Sequence, residues 1–488
     1  MVHDVVLALD VGTTSAKALA VSLKTGDVLG RGAVPVSLAL TGPGCVEQDP
    51  AELVQATLAA AAQAVRAADD IRVTGIGLTN QRESVVMWDR RSGQSLGPVI
   101  SWQDSRAAAS LTTWSSEARQ EVQQVTGLTL DAMYSAPKMR WLLDEHGGRR
   151  RDVVVSTVDS WMVHALTGTI AVEAGNASRT LLLSLSTGDW DPSLVEAFDI
   201  PRSVLPDVRP SDAGFGVTRD GMPIPAGVPV AAVLADSHAA LFAYGEGGST
   251  KATYGTGTSV MMRLPGLGAP AVSTDTTIAW WRAGPTYARE GNVLSTGQAI
   301  DWVASLIEPG SSRPGGVIVS EAAATVADSG GVTLVPAFTG LGAPHWDRSA
   351  VAVMSGMTSQ TTPAHLARAA LDCVAHQVAD LVDTLDGDGA VDVNVLHVDG
   401  GVSSSDLLVA TQADLLGRAV VRSSEPSLSA LGVARLAAEA LGHPAPSLPT
   451  DPPVEPRMDQ AQRRRLRDRW RGEVSRARWA ASGQGMGA

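Results

Sequence analysis

Short apolar runs separated by turn residues dominate the first fifty positions. The run VVLALD (5–10) ends in an acid and a Gly-Thr-Thr turn, and the runs AKALAVSL and VLGRGAVPV follow around a Thr-Gly-Asp turn. This pattern predicts three strands in an antiparallel meander. The Ala-rich segment 51–68 then has helical spacing after the start signal Asp49-Pro50, and VTGIGLTN is typical of a buried strand that ends at polar residues.

A similar order of elements returns in the second half. The segment KATYGTGTSVMM (251–262) has a strand-like run, a Gly-Thr-Gly turn and another apolar run, and residues 366–385 have the spacing of a long amphipathic helix. Two modules that open alike predict two similar α/β domains facing a cleft. The Gly- and Ser-containing stretch AYGEGGSTK marks the boundary. We therefore assign residues 1–245 to an N-terminal domain, 246–450 to a C-terminal domain and 451–488 to an Arg-rich tail with helical spacing.

Composition excludes several classes of protein. A chain of 488 residues that is 44% hydrophobic and 18% charged has enough apolar material for two or more cores. The net charge of −13 provides no global basic surface for nucleic acid, and no apolar run is long enough to span a membrane. Cys45 and Cys373 are the only cysteines, and the first residues do not resemble a secretory signal. These features predict a cytoplasmic protein.

Two glycine-threonine turns are candidates for phosphate binding. Asp10 precedes Gly12-Thr13-Thr14, and a carboxylate before such a turn can hold a hydrated divalent cation while backbone N–H groups meet phosphate. The turn Gly255-Thr256-Gly257 occupies the matching place in the second module. Either turn alone is equally compatible with an ordinary hairpin. Neither fits the Walker pattern, and no GxGxxG motif opens a helix after the first strand.

Other polar residues cluster where strands are predicted to end. The four hydrogen-bonding side chains of Asn80–Glu83 suit a polyol but also suit a surface turn. Asp236 ends the run VPVAAVLA, where it could act as a general base or cap the next helix. His238 is interpreted as structural. Asp399–Gly401 could approach a flat ligand or form a simple strand-to-helix turn.

These segments together resemble the FGGY family of carbohydrate kinases. Two long gapped patterns carry the resemblance, MYSAPKMRWLLDE (133–145) and a second one between residues 352 and 372. It covers about residues 4–445 and implies two actin-like (ribonuclease H-like) ATPase domains flanking a deep cleft, with the polyol on the N-terminal and the nucleotide on the C-terminal domain. LTNQRESVVMWD, WQDSR, PAFTGLGAPHWD and DGGVSSSDLL are most similar to glycerol kinase segments. The implied function is ATP-dependent phosphorylation of a terminal hydroxyl of a small polyol or sugar.

The resemblance also implies roles for individual residues. Asp236 would be the catalytic base, with Ser237 near the product phosphate, and Asp10 would help to hold Mg²⁺. The residues that would bind the polyol are Arg82, Glu83, Trp102, Tyr134 and Asp236. The residues that would meet the phosphates or line the nucleotide are Thr13, Thr14, Ser15, Lys17, Gly255, Thr256, Gly297, Asp301, Gly401 and Asp406.

The sequence departs from glycerol kinases at several positions near these residues. Val11 stands where they usually carry Gln, Ser259 where they carry a Phe that packs against glycerol, and Trp280 where they carry a small residue. Asp301 and Asp406 replace amides. A serine in place of phenylalanine enlarges and polarises the pocket, which favours a tetritol or pentitol.

Several alternatives stay open. The opening LDVGTTSAKAL is more similar to gluconate and xylulose kinases. An actin-like ATP-binding sensor is the alternative outside enzymes, whereas the missing dinucleotide motif disfavours a polyol oxidoreductase. The resemblance leaves a homodimer and a homotetramer both open.

Overall fold

A computed structural model describes residues 2–147, 152–245, 250–268, 271, 273–387 and 393–483. Each half of the chain builds a central sheet with helices against it. The strands of the N-terminal half are β1 His3–Val11, β2 Ser15–Ser22, β3 Val28–Pro35, β4 Ala39–Gly42, β5 Cys45–Gln48, β6 Ile71–Asn80, β7 Val85–Asp89, β8 Val99–Ile100, β9 Val153–Thr157, β10 Ala171–Glu173, β11 Leu183–Ser184, β12 Asp189–Trp190, β13 Asp207–Arg209 and β14 Val230–Ala235. Its helices are α1 Pro50–Ala67, α2 Ser116–Thr126, α3 Ser135–Leu142, α4 Val158–Thr167, α5 Ala174–Ala177, α6 Pro192–Ala197 and α7 Asp236–Ala243.

The first central sheet has the strand order β14-β6-β1-β2-β3. β1, β2 and β3 form the predicted antiparallel meander, whereas β6 and β14 run parallel to β1. The carboxyl ends of β1, β6 and β14 therefore meet at one edge of the sheet. Ligands of open α/β sheets bind at such an edge.

The second half repeats this arrangement. Its strands are β15 Thr250–Tyr254, β16 Thr258–Arg263, β17 Asp275–Trp281, β18 Pro285–Val293, β19 Thr333–Val335, β20 Val353–Ser355, β21 Val395–Asp399 and β22 Ala419–Arg422. Its helices are α8 Gly297–Ile307, α9 Gly315–Ala323, α10 Pro363–Gly387, α11 Asp406–Leu416, α12 Leu428–Ala440 and α13 Gln460–Gly483. The sheet order is β17-β18-β16-β15-β21-β22, again an antiparallel meander (β15, β16, β18) beside parallel strands (β21, β22).

Helices from both halves cover the first sheet. α1 starts as predicted at Asp49, whose side chain accepts a hydrogen bond from the Ala51 N–H, and it packs against β2 and β3. α12 comes from the far end of the chain but packs on α7, β6 and β1. A Cβ atom on Gly432 would lie 1.8 Å from the Ala239 carbonyl oxygen, so this close helix packing requires glycine.

The Arg-rich segment forms α13, which docks on α10. Trp470 is 1% exposed, stacks on His376 with ring centroids 5.1 Å apart, and donates from Nε1 to Asp380 at 2.6 Å. Buried Arg467 donates to Asp380 and Asp383 at 2.7 Å each. The face of α13 that carries Trp470 and Arg467 therefore packs against the rest of the protein. Among the described residues, no helix combines the length and apolarity needed to cross a membrane.

Candidate active site

Asp10 occupies the carboxyl end of β1, where it pairs across the strands with Lys17 and Thr79. The residue is 9% exposed. Burial raises the pKa of Asp10 to about 7, the Lys17 ammonium opposes this rise, and the Asp236 carboxylate adds to it. A second negative charge near a buried carboxylate favours the presence of a cation or a proton.

The turn after Asp10 is held by side chains of neighbouring segments. The Gly12 N–H donates to the Ser15 carbonyl at 3.1 Å, which closes the turn. The Thr13 hydroxyl donates to Gln81 Oε1 at 3.2 Å and accepts from Trp102 Nε1 at 3.1 Å. Trp102 is 36% exposed, so its indole lies at the rim of the site and is oriented by the turn.

Arg82 lies just beyond β6 and bridges the two halves of the chain. Its two terminal nitrogens donate to the two carboxylate oxygens of Glu290 on β18, at 2.7 and 2.8 Å. Its Nε lies 3.4 Å from Asp236 Oδ1, and its side chain is 10% exposed. Burial opposes the charge of Arg82, but the carboxylates of Glu290 and Glu83 outweigh it and raise the pKa of Arg82.

Glu83 Oε1 lies 3.9 Å from Arg82 Nε and forms a shorter, buried ion pair with Arg179. Arg179, which follows α5, donates from Nε to Glu83 Oε1 at 2.6 Å and is fully buried. The backbone of Glu83 has a φ of +60°, and the Ser135 hydroxyl donates to its carbonyl at 3.1 Å. A non-glycine residue in this conformation is uncommon and is often found at functional sites.

Tyr134 joins the same buried network. Its hydroxyl donates to Asp275 Oδ2 on β17 at 2.7 Å, and the Arg179 guanidinium lies 5.1 Å from the ring centroid. Tyr134 is 1% exposed, so its hydroxyl is turned toward β17. Burial and the Asp275 charge raise the pKa of Tyr134 well above its ordinary value.

Asp236 begins α7 at the carboxyl end of β14, and 38% of its side chain is exposed. The N-cap residue is Ala235 and no side chain caps the helix, so Asp236 does not play the capping role that the sequence left open. Its Oδ1 accepts from the Ser237 N–H at 2.6 Å. Partial burial raises the pKa of Asp236, Arg82 opposes this, and the Glu83 charge reinforces it.

The turn Gly255–Gly257 of the second half packs against the start of α8. The Gly297 N–H donates to the Gly255 carbonyl at 3.0 Å, and the Thr296 N–H donates to the Thr256 carbonyl at 3.1 Å. A Cβ atom on Gly297 would lie 2.6 Å from the Gly255 carbonyl oxygen. Glycine at this position therefore lets the helix meet the turn backbone to backbone.

Two consecutive glycines, Gly400 and Gly401, follow β21. Gly400 has a φ of +93°, and a Cβ there would lie 2.3 Å from the Tyr254 carbonyl oxygen, whereas a Cβ on Gly401 would meet nothing within 4 Å. Gly401 thus exposes its backbone, as a flat ligand requires. Asp406 is exposed and accepts from Arg422 at 2.8 Å, and Asp301 is also exposed.

Sequence reasoning missed three charged residues of the buried network around Arg82, Glu83 and Tyr134, namely Arg179, Asp275 and Glu290. Each is at most 1% exposed. Asp275 and Glu290 lie on strands whose other residues are largely buried. An acid inside a buried strand was the sequence signal by which these two residues could have been found. Lys251 was also missed; it is fully buried on β15 and donates to the Thr253 hydroxyl at 2.7 Å.

Family models account for most of the chain. The N-terminal domain of the FGGY family of carbohydrate kinases matches residues 5–243, and the C-terminal domain matches residues 250–441. The chain belongs to the FGGY family. The resemblance inferred from the sequence is therefore confirmed, and so is the predicted class of enzyme, an ATP-dependent sugar or polyol kinase.

Curated relatives align over nearly the full length. The chain is 40% identical to a glycerol kinase of Deinococcus radiodurans, with 98% of each chain covered. It is 41% identical to a glycerol kinase of Alkalilimnicola ehrlichii over 90% of each, and 37% identical to one of Thermococcus kodakarensis over 97% of each.

Solved structures of the family have the same fold. Plasmodium falciparum glycerol kinase with ADP superposes with a TM-score of 0.89 at 26% identity, covering 97% of this chain and 98% of that one. A xylulose kinase from Rhodospirillum rubrum gives 0.86 at 25% identity, covering 98% and 99%. The predicted fold class, two actin-like α/β ATPase domains, is confirmed.

Proposed function

We propose that this kinase transfers the γ-phosphoryl group of ATP to a terminal hydroxyl of glycerol or a slightly longer polyol, with Asp236 as the general base. The observation that supports this most is the convergence of Asp10, Arg82 and Asp236 at the carboxyl edge of one sheet. Asp236 is partly exposed there, and its only ion-pair partner within 4 Å among the described residues is Arg82 at 3.4 Å. A base needs such access to a hydroxyl.

The acceptor is held by the residues around Asp236. Arg82 donates to its hydroxyl oxygens, Glu83 accepts from its hydroxyl protons, and Trp102 at the rim covers its carbon face. The exposed indole of Trp102, tied to Thr13, supports this position between the acceptor and the phosphate turn. Tyr134 stabilises the buried side of the site through its hydrogen bond to Asp275.

The nucleotide lies on the second half. The open backbone of Gly401 supports contact with a flat base, and the packed turn of Gly255 and Thr256 faces the phosphates. Thr13, Thr14, Ser15 and Lys17 meet the phosphates from the other half. Gly297, Asp301 and Asp406 border the nucleotide. The polar groups next to it there are therefore two exposed carboxylates, at positions where glycerol kinases carry amides.

The surroundings of Asp10 suit Mg²⁺. A buried carboxyl group whose pKa is raised to about 7, partly by the Asp236 charge, would be stabilised in its ionised form by a cation. Mg²⁺ is commonly bound by one or two carboxylates together with waters and substrate phosphates. Asp10 would hold the ion, which when bound would neutralise charge on the phosphates.

The transfer then follows from the chain's own groups. Asp236 orients the terminal hydroxyl and accepts its proton while the hydroxyl oxygen forms a bond to the γ-phosphorus and the bond to ADP breaks. Backbone N–H groups of the two turns and Lys17 stabilise the phosphoryl charge. Closure of the two domains excludes water, which would compete as an acceptor.

One observation favours an acceptor longer than glycerol. The Ser259 hydroxyl donates to Glu290 Oε1 at 2.8 Å, so the wall beside Arg82 is small and polar at this position. A polar wall can hydrogen-bond an additional hydroxyl group, which a phenylalanine side chain cannot do. A panel of C3–C6 polyols, ketoses and gluconate in an ADP-release assay measures kcat/KM for each. A value for glycerol far above all others would contradict the longer acceptor, and ADP release that no acceptor stimulates would contradict the kinase function.

Asp236→Asn tests the base. We expect kcat to fall by roughly 10²–10⁴-fold, with a modest change in acceptor Kd, because the amide keeps the shape but does not take the proton. Asp212→Asn is a matched control, since Asp212 is a partly exposed acid paired with Arg282 at 3.2 Å. A kcat for Asp236→Asn within about tenfold of wild type would refute the assignment.

A further inference from the structure

Arg82 is shared unequally between two carboxylates. Glu290 takes both terminal nitrogens at 2.7 and 2.8 Å, while Asp236 approaches only Nε at the longer distance of 3.4 Å. A paired guanidinium–carboxylate contact fixes the plane of the arginine head as well as its position. The direction in which Arg82 points is therefore set by Glu290.

Glu290 is itself fixed from several sides. It is fully buried, its Oε1 accepts from the Ser259 hydroxyl, and its Oε2 lies 3.1 Å from the Arg179 Nη1 atom. Its neighbour in the strand pair β17–β18 is Asp275, which binds Tyr134. Two adjacent acids from the second half thus reach the acceptor residues of the first half.

Glu290 lies between two arginines, Arg82 and Arg179. Arg82 and Arg179 are both nearly buried, and Glu83 is bonded to Arg179 at 2.6 Å while it lies 3.9 Å from Arg82. Without Glu290, Arg82 would retain Asp236 as its nearest acid. The guanidinium would then move onto the Asp236 carboxylate and block the place that the acceptor hydroxyl needs.

We propose that Glu290 is a positioning residue for the acceptor: it holds Arg82 in a fixed orientation and keeps it from forming a full ion pair with Asp236. The proposal rests on the function proposed above, in which Arg82 and Asp236 meet the acceptor. Both halves then contribute to the acceptor site: the orienting carboxylate of Glu290 lies on β18, and the hydroxyl-binding groups follow β6 and β14.

Glu290→Gln provides the test, because glutamine keeps the size but offers one acceptor oxygen in place of two. We expect the acceptor KM to rise by about tenfold or more with a smaller change in kcat, as for loss of binding shared by ground and transition states. The KM for ATP should stay unchanged. Arg82→Ala should raise the acceptor KM as well, and the double variant should be no worse than Arg82→Ala alone, since Glu290 acts through Arg82.

Glu425→Gln is the matched control. Glu425 is 5% exposed and also holds an arginine from the first half, Arg31, with two hydrogen bonds of 2.8 Å, but it lies outside the site. It should leave both KM values unchanged. If Glu290→Gln does not fold, Glu290→Asp keeps the charge and should still raise the acceptor KM, by about threefold or more, since its shorter side chain cannot reach Arg82 fully.

An acceptor KM unchanged in Glu290→Gln or Glu290→Asp would overturn the proposal, and so would additive effects in the double variant. These outcomes are separable from failure of the proposed function. If the wild-type enzyme phosphorylates a polyol and Asp236→Asn lowers kcat as predicted above, the function stands whatever Glu290 does. If the wild type phosphorylates no polyol or sugar, the function itself fails.

Discussion

Docking of the Arg-rich helix α13 on α10 can be tested by removing the side chain at its centre. Trp470 is almost completely buried, stacks on His376 at an interplanar angle of 5° and hydrogen-bonds Asp380. Trp470→Ala removes these contacts and leaves a cavity between the two helices. The family model ends at residue 441, so the helix lies outside the segment that the model matches.

The magnitude follows from the contacts. Replacing a buried tryptophan with alanine costs about 3–5 kcal/mol of unfolding free energy. We expect a value near the upper end, because the variant also loses an aromatic pair worth about 0.5–1.5 kcal/mol and a hydrogen bond to a carboxylate. Arg467 would still bind Asp380 and Asp383, which limits the loss.

Urea denaturation followed by circular dichroism measures the change, with Trp479→Ala as the matched control. Trp479 lies on the same helix but is 76% exposed, so its replacement should change the unfolding free energy by no more than about 0.5 kcal/mol. Trypsin provides a second measurement, since an undocked α13 would expose its arginines to rapid cleavage. Equal effects of the two variants, or a loss below about 1 kcal/mol for Trp470→Ala, would refute the docking.

Two further predictions concern the active site. The pKa of Asp236 is raised above its ordinary value of 3.8, and only the ionised carboxylate accepts a proton. We therefore expect kcat to fall by about tenfold per pH unit below that raised pKa. A pH–rate profile that is flat down to about pH 4 would contradict this. Ser259→Phe should lower kcat/KM for a tetritol relative to glycerol by about tenfold or more, because the larger ring occupies the additional space. The same acceptor panel checks it, and a ratio that changes less than about twofold would argue against a role of Ser259 in acceptor length.

Local sequence signals were sufficient to predict the first strands of each half and the start of the first helix. The alternation around residues 5–35 predicted the β1–β3 meander, and Asp49-Pro50 predicted the start of α1. The repeat of a glycine-threonine turn predicted that the second half would have a similar sheet, which β15 and β16 confirm. These features depend on residues close together in the chain, where periodicity and turn chemistry determine the conformation.

The partners of the site residues were decided only by the tertiary structure. Glu290 is 208 residues from Arg82 and Asp275 is 141 residues from Tyr134, and no local pattern relates such distant positions. The packing of α12 on the opposite half and of α13 on α10 likewise depends on which apolar faces meet. The sequence alone indicated candidate groups for the chemistry, such as Asp10, Arg82 and Asp236, because residue types and turns are local properties. The fold determined which of them are paired, buried or exposed, because burial and pairing depend on contacts between segments far apart in the chain.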